Sequence, residues 1–244
     1  MSKINSLNRR TYPGFPEYIL LDLIGEGDTF FKRGAKPEFL YHPHFEQWHR
    51  YFCGPDYHPP AGKTIAFFQT CTWSKPYDFS YIGRKIRTVT DKYPNVHPII
   101  LSNAGVIPYE YQMNPTFCAY DWIVEEEAER EAERSVAEQY QEVTLKRIRN
   151  YLTANRQVYD SVVHYCMPVT QSMSSHIQNI CKELGLPYYL AVSADVYRAV
   201  RERLLQLRDV GQFYIFDEVL ASLKQILEKV SERYGFGDSH PGVQ

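Results

Sequence analysis

The run Thr64-Ile65-Ala66-Phe67-Phe68, bounded by Gly62 and Pro76, constrains this chain most. It is β-branched and aromatic, the pattern of a buried strand. A second apolar run, Val96-His97-Pro98-Ile99-Ile100-Leu101-Ser102, follows a helix-like segment from Ser80 to Tyr93. Strand, helix and strand make a βαβ unit, and in sheets built from such units ligands sit outside the carboxyl ends of the strands. The loop from Gln69 to Ser80, which carries Cys71, falls at one such end. The loop Asn103-Ala104-Gly105-Val106-Ile107-Pro108 falls at the other. Chemistry is expected there.

The remaining pattern extends the same alternation. Before the first strand, Phe45, Trp48 and Phe52 share one helical face by their spacing. Val124 to Gln157 is the longest helical pattern, acidic at its start and basic at its end, as the helix dipole favours. Its Glu/Arg alternation reads as a solvated face. Ser161 to Cys166 predicts a strand, Ser172 to Leu184 a helix stopped by Gly185, and Pro187 to Val192 another strand. Helices close the chain at Asp195 to Arg208 and Asp217 to Tyr234. The expected fold is therefore α/β and three-layered, a mostly parallel sheet with helices on both faces. It forms a single domain over residues 1–244, with an extension over 1–40, a core over 41–192 and C-terminal helices over 193–244. In the extension, Tyr18 to Ile24 reads as an edge strand or a short helix.

Composition excludes several classes. A formal charge of -2 argues against a protein that coats nucleic acid by itself. Five cysteines with no CxxC pair, and no apolar leader, point to reduced thiols in a cytoplasmic protein. No run approaches a membrane span, so no membrane partner is expected. His42, His44 and His49 lack acidic or cysteine partners at ligand spacing, so no metal is expected. There is no Walker loop, GxGxxG or GxSxG, and no cofactor is expected.

Each candidate residue has a bland and a sharp reading. Cys71 is either packing at a strand end or a nucleophile whose thiolate Lys75 favours. Lys75, Pro76 and Tyr77 are an ordinary turn, or a stiffened loop that points Lys75 and Tyr77 into the cleft. Ser80 caps the next helix or marks a polar-base site at its exposed amides. Asn103, Gly105 and Glu110 belong to a loop suited to close backbone approach, since Gly105 has no side chain. Asp121, between Tyr120 and Trp122, pairs with the donor edge of a purine or caps the long helix.

The Cys71 loop resembles the core domain of archaeosine synthase, whose hallmark is PC-x3-KPY-x2-S-x2-H. Cys71, Lys75, Pro76, Tyr77 and Ser80 fall at the family spacing. The likeness extends through Tyr57 to Pro60, Val96-His97, Ala104 to Pro108 with Glu110, and Tyr120-Asp121, roughly residues 40 to 190. Thr70 replaces the motif's proline, Gly83 stands where its histidine belongs, and Tyr109 takes a place expected to be basic. At this length the family's additional domains, including an RNA-binding PUA module, are not expected. The resemblance implies an amidine-forming transferase or ligase of tRNA modification, in the queuosine/archaeosine pathways. It would act on 7-cyano-7-deazaguanine in nucleic acid (tRNA first, or DNA, presented by a partner protein) or as the free base. The amine donor would be one such as lysine. Cys71, Lys75 and Tyr77 would be catalytic, and Ser80, Asn103, Gly105, Glu110 and Asp121 would hold the base. The alternative is a non-catalytic base-binding subunit of a deazaguanine-modification or transglycosylase complex.

Overall fold

The computed structural model describes residues 41, 43–72, 77, 80–102, 105–114, 117, 127–168, 171–207 and 210–234. Helix α1 spans Pro43–Phe52 and strand β1 Ile65–Thr70. Next come α2 (Tyr81–Thr90), β2 (Val96–Ser102), β3 (Gly105–Pro108) and a 3-10 turn at Tyr109–Tyr111. The long helix α3 (Glu127–Ala154), β4 (Ser161–Tyr165), α4 (Gln171–Glu183) and β5 (Tyr188–Leu190) follow. The described chain ends with α5 (Ala194–Leu205), a second 3-10 segment (Val210–Ile215) and α6 (Asp217–Tyr234). The expected three-layer α/β fold is present.

The five strands lie in the order β3-β2-β1-β4-β5. β1 is parallel to both β2 and β4, and β5 is parallel to β4. β3 alone runs antiparallel, against β2. Among the described strands it is the one missed in sequence, where residues 103–108 read as loop: Gly105 to Pro108 is a return strand four residues long. Gly105 opens it at φ +128, a backbone conformation that only glycine adopts without strain. Pro98 has no amide to donate, and β3 stops beside its neighbour, with Ile99 opposite Pro108 as the last pair.

Alternation along β1 divides the core. Ala66 and Phe68 face α1 (Phe45, Trp48, Phe52), α3 (Ile148, Tyr151, Leu152) and α4 (Ile177, Ile180, Cys181). Ile65 and Phe67 face α2 (Ile86, Val89), α5 (Val200, Leu204) and α6 (Val219, Leu223, Leu227, Val230), with Phe213 of the second 3-10 segment. The C-terminal helices therefore complete the second face. All five residues of β4 are buried, as a central parallel strand requires. α3 is 28 residues long, about 42 Å at the helical rise. Its described side chains start at residue 139, and its buried ones, Tyr140 to Leu152, lie in the half that covers the sheet. Among the described residues no helix is long and apolar enough to cross a membrane.

Candidate functional site

The strand order places the topological switch between β1 and β4. The chain leaves β1 toward β2 on one side and returns to β4 on the other, and in such sheets the ligand crevice lies outside the carboxyl ends of the two strands at that point. Cys71 follows β1 directly there. Its amide donates to the Leu101 carbonyl at 3.1 Å, prolonging the pairing with β2, and its side chain is half-buried. Across the switch, Cys166 follows β4 and is 7% exposed. The Cys166 Sγ lies 3.1 Å from Ser174 Oγ on α4. Ser174 bonds the Tyr188 hydroxyl, which lies 2.9 Å from Nδ1 of His164. Burial drops His164 to about 4, so it is neutral at physiological pH. Burial, with the Cys166 thiol nearby, pushes the Tyr188 hydroxyl up. The result is a chain of hydrogen bonds from the Cys166 thiol, at the end of β4, to a neutral histidine inside the sheet.

Tyr214, from the second 3-10 segment, closes the gap between the two strand ends. Its hydroxyl bonds the Met167 backbone and the Thr70 side chain, one on each strand end. Tyr165 donates to the Tyr214 carbonyl at 2.8 Å and packs edge-on against its ring, which holds the segment in place. Burial pushes the Tyr214 hydroxyl to about 12, and the Cys166 and Cys71 thiols both add to the rise. One phenol thus senses both thiols. Cys166 and Tyr214 were not singled out in the sequence. The signal for Cys166 was available: it ends its strand as Cys71 does. Nothing local in Val210–Ile215 points to a site.

The turn after Cys71 is organised by packing. Tyr77 is 1% exposed and belongs to the cluster with Trp48, Phe52 and Phe117. This corrects the expectation that it points into the cleft; its ring supplies apolar area that the core takes up. Ser80 is the N-cap of α2, its Oγ accepting from the Gly83 amide at 3.3 Å. Of its two readings the capping one is observed. Gly83 lies under the turn, where a Cβ would come 2.3 Å from the Tyr77 carbonyl oxygen. The motif's histidine therefore has no room while the turn keeps this path. Lys75, Asn103 and Asp121 lie outside the described residues.

The second loop divides. Gly105 stays at the carboxyl end, paired with Ser102. The buried Arg147 passes beneath it, 3.6 Å from where a Cβ would be, and pairs with Glu46 at 2.6 Å. Glu110 is carried to the opposite end of the sheet, because β3 runs back beside β2 and covers about 13 Å in four residues. This corrects its grouping with Cys71 and Gly105. There it closes a ring of side chains. Tyr57 donates to Oε1 at 2.9 Å, and Nε2 of His97 meets Oε2 at 2.9 Å. Nδ1 of His97 meets the Tyr159 hydroxyl at 2.7 Å, which meets Tyr151 at 2.7 Å. Tyr151 and Tyr57 approach to 3.4 Å. Burial raises the Glu110 carboxyl, but hydrogen bonding and charge from His97, with the backbone and Tyr57, outweigh it and hold the group below its ordinary value.

Among the described residues no three His, Cys, Asp or Glu side chains come together to hold a metal. No protein-family model matches the chain, and no curated protein matches it. Among solved structures it is similar to the crystal structure of AF0587, a protein of unknown function. That likeness has a TM-score of 0.46 at 16% identity, covering 82% of this chain and 51% of the other. The chain spans about half the length of that protein.

Proposed function

We propose that the chain acts on a 7-deazaguanine, adding an amine to the nitrile of 7-cyano-7-deazaguanine at the crevice between β1 and β4. One observation carries the reading: Cys71, the cysteine at the motif spacing, is a half-buried thiol at the carboxyl end of the central strand, beside the topological switch. A nitrile carbon is electrophilic, and a thiolate there is the matching nucleophile. The Cys71 sulfur adds to the carbon, and the nitrile nitrogen takes a proton to give a thioimidate. The incoming amine adds to the same carbon, the carbon–sulfur bond breaks, and the thiolate leaves behind an amidine. Direct attack by the amine is the variant in which Cys71 only contacts the nitrile. tRNA, DNA or the free base supplies the deazaguanine, nucleic acid through a partner that presents it.

The second reading, a base-binding subunit of a modification complex, is favoured by the burial of Tyr77 and by Gly83 in place of the motif's histidine. Intact-protein mass spectrometry separates the two. Mixing with 7-cyano-7-deazaguanine is expected to add the mass of one base to the native chain and nothing to Cys71→Ala. Absence of the adduct removes Cys71 as a nucleophile. A binding titration on the same two proteins then distinguishes a base-holding subunit, which binds with either residue, from a chain with no affinity for the base.

A further inference from the structure

We propose that the outer face of α2 is a docking strip for single-stranded nucleic acid, with Tyr81 as a stacking platform for a base and Arg84 and Lys85 as phosphate contacts. Helical spacing sorts α2 into two faces. Gly83, Ile86, Val89 and Thr90 are buried. Tyr81, Arg84, Lys85 and Thr88, at i, i+3, i+4 and i+7, share the opposite face, and all but the half-buried Lys85 are exposed. Tyr81 is 56% exposed, and among the described residues only Tyr41 and Leu205 are large apolar side chains more open than it. The Lys85 ammonium lies 5.6 Å from the centre of the Tyr81 ring. An aromatic surface and a cation are thus held together in the open.

Charge sets this face apart from the other helix surfaces. α2 contains no acidic residue. Among the described residues neither Arg84 nor Lys85 meets a carboxylate, whereas Arg149, Arg198 and Arg203 pair with Glu183, Asp195 and Glu218. Arg87, at the flank of the strip, pairs with Asp91 at 3.1 Å. Unmatched cations beside an open ring fit the two things a single strand presents together, a phosphate backbone and unpaired base faces. A phosphopeptide or a lipid headgroup would satisfy the cations and leave the ring unused. A net charge of -2 opposes coating of nucleic acid but not a local strip. The contact expected is weak, about 1–100 μM, and adds to whatever a partner supplies. α2 follows β1, so its first turn, with Tyr81, stands at the carboxyl end of the sheet, where Cys71 also lies.

The strip rests on α2 alone and not on the deazaguanine reading, and it is tested without that base. The full chain is titrated into fluorescein-labelled oligothymidylate at low salt and anisotropy is read. The native chain is expected to bind the strand more tightly than a duplex of the same length, and less as salt rises. Tyr81→Ala is expected to lose about tenfold in affinity, the stacking of one base, with the salt slope unchanged. Arg84→Ala combined with Lys85→Ala is expected to lower the slope of log affinity against log salt by about 1.4, for two phosphates of a single strand. Arg149→Ala removes the same charge from the helix layer on the other face of the sheet, and is expected to change neither quantity. No binding by the native chain, equal affinity for the duplex, equal competition by polyglutamate, or α2 variants that bind like the native chain overturns the proposal. A missing Cys71 adduct and a missing strand contact are therefore separate failures.

Discussion

At Gly83, what looks like a missing functional group is a steric requirement. A Cβ would sit 2.3 Å from a backbone oxygen, so either the turn at Tyr77 or the first turn of α2 must move. Gly83→Ala is expected to lower stability by about 1–3 kcal/mol in urea unfolding, and Gly83→His, which restores the motif, by more. A His variant as stable as the native chain would show that the turn has room. His164 carries a different consequence. Its folded value of about 4 lies below the ordinary 6.5, so the unfolded chain binds a proton that the folded chain refuses. The stability contributed by the neutral ring is whole above 6.5 and declines as pH falls from 6.5 toward 4. The total is about 3 kcal/mol. His164→Gln, which keeps a hydrogen-bonding group toward Tyr188, is expected to flatten unfolding free energy against pH across that window. An unchanged slope would assign it to other groups.

Five elements meet in the ring around Glu110: the loop before β1, β2, the first 3-10 turn, α3 and the loop before β4. Tyr57 donates to one carboxylate oxygen of Glu110 at 2.9 Å, and His97 meets the other at 2.9 Å. The contact between Tyr151 and Tyr57 is the longest of the five, at 3.4 Å. Tyr57→Phe removes one of two side-chain donors to a charged acceptor, with an expected loss of about 1.5–3 kcal/mol at neutral pH. Because the Glu110 carboxyl is depressed in the fold, its contribution is present above the ordinary carboxylate value of about 4.3 and lost as pH falls through the folded value. The gap between native and Tyr57→Phe chains in urea unfolding should close over that range; a gap independent of pH would contradict the assignment. Elements of this kind were only partly legible. The amphipathic helices and the long apolar strands follow from periodicity. β3 did not, because four residues between a glycine and a proline carry no period, and its direction decides where Glu110 goes. Tyr57 and His97 stood out in sequence only through the family likeness, since nothing local tells a tyrosine which carboxylate it will reach.

For the whole molecule, the position of the crevice was legible and its furniture was not. A βαβ pattern fixes that Cys71 ends at the carboxyl edge of a central strand. The neighbour across the switch depends on strand order, which places β4 rather than β3 beside β1. That order brings Cys166, Ser174 and Tyr188 to the crevice, and the packing of the second 3-10 segment adds Tyr214. Synthesis runs from Cys71 toward Tyr214, so the crevice is built from segments that leave the ribosome far apart in time. β1 emerges early and waits through α3 for β4, its partner on that side. The phenol that ties the two strand ends together emerges after five of the six described α-helices. A nascent chain thus carries the Cys71 thiol long before the site around it exists, and the segment Val210–Ile215 acts as its closing pin.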